Sequence, residues 1–115
     1  MSDQGPMFNL YDAGGQVRVA AGAGTAGPSL ALYDAKGTAR LGLSVAGGGP
    51  CLRLYDAEGN ARARLDVGED WAGFLFDDNK GQSRLGLCVS AYGPEVNMFD
   101  TQGKPLYSLP PTRTQ

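Results

Sequence analysis

Apolar and polar residues alternate one for one along most of this chain, and the alternation stops and restarts at regular intervals. Leu30 and Leu32 alternate with Ala31 and Tyr33. After a polar break, Ala39, Leu41, Leu43 and Val45 alternate with Arg40, Gly42 and Ser44. Period two over such short runs predicts strands. A helix needs apolar residues three and four apart, and no unit supplies them. Between the two runs stands Asp-x-x-Gly. The aspartate carboxylate accepts main-chain N–H groups two residues on, and the glycine takes the positive φ that closes the loop. The pattern predicts a β-hairpin.

The hairpin recurs in register. Turn aspartates are Asp12, Asp34, Asp56, Asp78 and Asp100, each 22 residues after the last. Gly15, Gly37, Gly59, Gly81 and Gly103 close the turns. Gly-Pro pairs open every unit but the fourth, which opens on Trp71 and Ala72. Arg18, Arg40, Arg62 and Arg84 hold one position, and Leu106 takes it in the fifth unit. The units are 5–26, 27–48, 49–70, 71–92 and 93–114, one domain over 5–114.

The expected fold is all-β: five tandem hairpins in an open or stacked array, or solenoid, with a closed ten-stranded antiparallel barrel as the alternative. An open sheet paired with a second copy of the chain is a third solution. Pro105, Pro110, Pro111 and the thin Ala20–Gly24 segment read as the atypical ends of a capped array. An even loop is expected to pair Leu32 with Ala39 and Leu30 with Leu41. The same pairing sets Arg53 opposite Arg62, with Arg64 beside them.

Composition narrows the chemistry. The formal net charge is −2, which gives no footprint for nucleic acid. Histidine is absent, which removes Ser–His and Cys–His nucleophile systems. The run Ala46-Gly47-Gly48-Gly49-Pro50 lacks the Lys-Ser/Thr of a phosphate loop. Glu69 and Asp70 are adjacent on one short loop, which is not how two carboxylates flank a glycosidic bond. Asp56–Asn60 and Asp77–Gly81 lack calcium-loop spacing and read as turns. The expectation is a protein that is not an enzyme and needs no cofactor or metal. The first residues carry no basic and apolar leader, and no apolar run is long enough for a membrane helix. Membrane insertion is therefore not expected. The default compartment is the cytoplasm; a surface or virion protein given a new Met would read the same way. Cys51 and Cys88 fall on one face about three strand spacings apart, so two free thiols are expected.

The consensus Gly-Pro-x-Leu-x-Leu-Tyr-Asp-Ala-x-Gly-x-x-Arg-x-x-Leu-x-Val resembles tandem repeats of uncharacterised bacterial proteins, a likeness that spans the chain and implies no activity. Leu54-Tyr55-Asp56-Ala57-Glu58-Gly59 is also similar to the hairpin repeats of cell-wall and choline-binding modules. Those hold ligand between tryptophans of successive repeats, whereas this chain has one, Trp71, outside the matching position.

Two patterns mark a candidate binding surface. Tyr33 and Tyr55, with Tyr11 and the arginine column, repeat on the outer face, where they either grip an extended ligand or pack hairpin on hairpin. Arg53, Arg62 and Arg64 bring like charges together across strands, which an anion, a partner's carboxylates or nearby Asp66 and Glu58 would relieve. Trp71 reads as an edge seal or an oligomer contact. The expected function is a non-catalytic structural or interaction module that self-associates, as a homo-oligomer or polymer, or scaffolds a protein partner. The alternatives are a glycan or extended-ligand binder on the Tyr/Arg face with Trp71, and a barrel holding a small apolar ligand.

Overall fold

The computed structural model describes residues 5–109. Ten strands follow one another: β1 (Met7–Tyr11), β2 (Val17–Gly24), β3 (Gly27–Tyr33), β4 (Ala39–Ala46), β5 (Gly49–Tyr55), β6 (Ala61–Val67), β7 (Ala72–Asp77), β8 (Ser83–Ser90), β9 (Gly93–Phe99) and β10 (Pro105–Leu109). They form one antiparallel sheet in chain order. Each strand touches only its sequence neighbours, so β1 and β10 do not meet and the sheet is open. The hairpins lie side by side. They do not stack as a solenoid, and the barrel alternative is excluded. No helix is present among the described residues, and hence none long and apolar enough to cross a membrane.

The turns form as the sequence predicts. In the second hairpin the Asp34 carboxylate accepts N–H groups from Lys36 and Thr38 at 2.9 and 3.0 Å. Gly37 donates to the Asp34 carbonyl at 3.0 Å with φ of 85°. The same pattern recurs at the other four Asp-x-x-Gly turns.

The register differs from expectation. Leu32 pairs with Leu41 and Leu30 with Leu43, because the ladder shifts between Leu32 and Tyr33. Tyr33 lies opposite Ala39, and Arg40 is the extra residue of a β-bulge. A bulge at this point follows every Asp-x-x-Gly turn. Arg53 accordingly sits opposite Arg64 rather than Arg62. The Ala20–Gly24 segment belongs to β2, paired with β1 as far as Gly22 and with β3 through Gly24. Pro105 lies on an edge strand, as expected; Pro110 and Pro111 lie outside the described residues.

The pairings arrange the side chains in rows across the sheet. One row runs Asn9, Ala20, Ala31, Gly42, Arg53, Arg64, Leu75, Gly86, Asn97 and Ser108. Its neighbours on either side alternate to the opposite face. They hold Leu32, Leu41, Leu54, Phe76 and Met98, and Leu30, Leu43, Leu52, Leu65 and Phe74. One face is therefore almost wholly apolar, and the other mixes small, polar and aromatic residues.

No described residue covers the apolar face. Ala63 is the one buried hydrophobic side chain among the described residues, while Phe8, Val45, Leu87 and Val89 are 62, 50, 41 and 57% exposed. The chain exposes 8133 Å², against roughly 6,000 Å² for a compact protein of its mass. Its radius of gyration is 17.4 Å, against about 13 Å for a compact chain of this length. Across β3 to β6 the apolar face carries an open groove of about 510 Å³, lined by Leu30, Leu43, Val45, Pro50, Leu52 and Leu65 among others.

Candidate functional site

The arginine column belongs to the framework. Each bulge arginine sits at the start of the second strand of its hairpin and reaches forward to the next. Arg18, Arg40, Arg62 and Arg84 donate Nε–H to the main-chain carbonyls of Tyr33, Tyr55, Asp77 and Phe99 at 3.0, 2.8, 2.7 and 2.7 Å. Their Nη1 atoms lie 3.5–3.7 Å from the carboxylates of Asp12, Asp34, Asp56 and Asp78 in their own turns. One side chain thus ties a turn to the following hairpin. The bulge makes room for this link by taking the arginine out of the ladder. The fifth unit has Leu106 there, and no strand follows β10 among the described residues.

These contacts set the charge state of the turns. Asp12, Asp34, Asp56 and Asp78 are held below the ordinary carboxylate pKa. The leading cause is the N–H of the residue four on, Thr38 in the case of Asp34, with the arginine adding a smaller pull in the same direction.

Of the residues the sequence singled out, Arg62 is engaged in this link, and Tyr33 and Tyr55 supply carbonyls to it. The Tyr55 ring lies across Gly42 of the neighbouring strand, with its Cε2 and hydroxyl 3.7 and 3.8 Å from where a Gly42 side chain would begin. Arg64 Nε lies 2.8 Å from Asp66 Oδ2, two residues along the same strand. Arg53 has no carboxylate within 4.0 Å among the described residues. It borders a depression of about 230 Å³ with Ser29, Ala31, Gly42, Ser44, Cys51 and Tyr55.

Trp71 stands apart from Arg53. Its indole packs against the Gly68 backbone and within 3.6 Å of where a Gly73 side chain would begin. It walls a second depression on the polar face, about 250 Å³, with Arg64, Asp66, Leu75, Asn97 and Phe99; Gly73 and Gly86 also line it. The space exists because two adjacent strands carry glycine there. Arg64 therefore faces the Trp71 depression, and Arg53 faces its own. The structure divides the six predicted binding residues among two depressions and the framework.

Cys51 lies opposite Asp66 and Cys88 opposite Glu95. Both thiols are free, and burial, then the neighbouring carboxylate, pushes their pKa values up. No group of three or more His, Cys, Asp or Glu side chains that could hold a metal ion occurs among the described residues.

The sequence reading missed the forward reach of the arginines. The signal was present as the constant spacing of 15 residues from each bulge arginine to the last strand residue of the next hairpin's first strand. No protein-family model matches this chain, and no curated protein matches it significantly.

Proposed function

We propose that this chain is a non-catalytic structural module that assembles with a second copy of itself through the apolar face of its sheet. The observation that carries this reading is the row of exposed Leu, Val and Phe side chains on one face of a ten-stranded layer. Ten strands about 4.8 Å apart, each near seven residues long, give a face of roughly 1,000 Å². A standard interface needs about 800 Å² per partner. A second copy suits the face because a two-fold axis brings the same apolar patch of each copy together and covers both at once. Two such sheets would pack about 10 Å apart as a sandwich.

Edge-to-edge growth has less support. The arginine that joins each hairpin to the next is Leu106 at the β10 edge, so a copy added there would lack the link that every internal junction has.

Light scattering at tens of micromolar tests the proposal. The expected mass is twice the 12.0 kDa of the chain, with Leu43→Lys and Leu87→Lys each driving it to monomer or to unfolding. A stable monomer that binds a hydrophobic dye strongly would point to a different protein as the partner. A fibre would point to the edges.

A second reading, a glycan-binding surface, draws on the Trp71 depression, where an indole and Phe99 stand beside Asp66, Arg64 and Asn97. Flat apolar walls with a few polar groups suit a sugar ring. The chain's single tryptophan makes its fluorescence a direct test: titration with cellotriose and chitotriose changes the emission if sugar stacks there, and leaves it constant if not.

A further inference from the structure

The polar face carries a second feature, independent of the proposed contact because it lies on the opposite side of the sheet. Arg53 stands directly opposite Arg64 across β5 and β6, a pairing of like charges that destabilises a sheet unless relieved. Asp66 relieves Arg64 at 2.8 Å. Arg53 has no such partner among the described residues. It is alone in this among the described arginines, since the bulge arginines each have a turn aspartate.

The depression beside Arg53 brings three hydroxyl residues, Ser29, Ser44 and Tyr55, together with Leu30, Ala31, Leu43 and Cys51. The neighbour of Arg53 on β4 is Gly42, whose lack of a side chain lets the Tyr55 ring lie across that strand. The Tyr55 hydroxyl lies over Gly42. Ser44 is two residues along β4 from Gly42 on the same face, and Ser29 lies opposite Ser44 on β3. Arg53, Tyr55, Ser44 and Ser29 all line the one depression of about 230 Å³. The guanidinium offers up to five N–H donors in a planar fork, and each hydroxyl adds one. No carboxylate lines the depression. An arginine fork suits an oxyanion, and hydroxyls in the same depression offer donors to the further oxygens that a phosphoryl or sulfuryl group has and a carboxylate lacks.

We propose that Arg53, Tyr55, Ser44 and Ser29 form a binding site for a phosphoryl or sulfuryl oxyanion. Free phosphate or sulfate and the same group carried on a larger molecule share this chemistry, and the open side of the depression admits either.

The test is a titration followed by amide and arginine Nε–H chemical shifts, at constant ionic strength set with sodium chloride. The probes are inorganic phosphate, inorganic sulfate, O-phosphoserine and acetate. The expected result is saturable shifts at Arg53, Gly42 and Ser44 with phosphate and sulfate. Phosphoserine binding more tightly than phosphate assigns the group to a larger partner; equal or weaker binding assigns it to the free ion. Arg53→Gln is expected to weaken phosphate binding at least about tenfold. Arg53→Lys keeps the charge without the fork and should bind between the two, while Lys36→Gln should leave binding unchanged. Absence of saturation, shifts no larger than chloride gives, or acetate bound as tightly as phosphate each overturns the proposal. So does an Arg53→Gln variant that stays folded and binds phosphate normally.

Discussion

Arg40 donates its Nε–H to the main-chain carbonyl of Tyr55 at 2.8 Å, fifteen residues on, while its Nη1 lies 3.5 Å from Asp34 behind it. Two hairpins are joined through one side chain. Arg53, on the adjacent strand β5, makes no such contact among the described residues. Replacing each with methionine keeps much of the aliphatic stem and removes the charge. The expected outcome is a lower melting temperature for Arg40→Met and little or no change for Arg53→Met. Thermal unfolding by far-UV circular dichroism reads both. Equal losses would show that the forward link adds nothing to the array.

The turn glycines give a second comparison. Gly59 has φ of 88°, and a side chain built there meets nothing within 4 Å. Substitution is therefore opposed by backbone conformation alone and not by crowding. Gly59→Val is expected to cost about 1–2 kcal/mol or more, the general cost of left-handed backbone for an L-residue. Glu58→Ala, one residue earlier, should change stability little. Denaturant midpoints of the two variants check the ordering, and a Gly59→Val midpoint equal to that of Glu58→Ala counts against it.

What the sequence made legible was local. Asp34 and Gly37 announced their turn, and the alternation of Leu30, Leu41 and Leu43 announced two strands and one apolar face. The bulge at Arg40 was hidden, because it shifts the pairing by two residues yet returns the same apolar side chains to the same face: Leu32 meets Leu41 instead of Ala39. Hydrophobic pattern fixes the face of a strand and not its register along the partner. The candidate site suffered from the same shift. The unfavourable arginine contact was foreseen but assigned to Arg62, and the bulge hands that place to Arg64. The Trp71 depression depends on Gly73 and Gly86 standing on adjacent strands, opposite Cys88 and Leu75, which no motif announces.

Acid should loosen the array through its turns. Asp12, Asp34, Asp56 and Asp78 have folded pKa values below their ordinary value of 3.8. A depressed carboxylate contributes stability that is fully present above the unfolded pKa and is lost as pH falls through the folded one. Stability should therefore hold steady down to about pH 5 and fall below about pH 4. Asp34→Asn keeps an oxygen for the Lys36 and Thr38 N–H groups but gives up the charge, so it should flatten the acid limb while remaining folded at neutral pH. Asp34→Ala removes the turn acceptor too and should be the less stable at every pH. A pH series of urea midpoints for the three proteins measures this, and identical acid limbs in wild type and Asp34→Asn would contradict the assignment.

The thiols give the last prediction. Cys51 is on β5 and Cys88 on β8, three strand spacings or about 14 Å apart in a sheet ordered along the chain. A disulfide needs Cα atoms within about 7 Å, so the two cannot join within one sheet without breaking its strand order. Each is also expected to react slowly. Burial and a carboxylate on the facing strand, Asp66 for Cys51 and Glu95 for Cys88, raise both thiols above their ordinary value of 9.0. Little thiolate is then present at neutral pH, and the thiolate is the reactive form. Titration with a chromogenic disulfide reagent at pH 7 should show slow modification of native protein and rapid modification of two groups per chain once unfolded without reductant. Asp66→Asn should speed the reaction at Cys51 alone, since it removes the charge beside that thiol and leaves Glu95 in place. Fewer than two reactive groups in the unfolded chain would overturn the strand order that keeps the cysteines apart. A rate at Cys51 unmoved by Asp66→Asn would show that burial by itself controls that thiol.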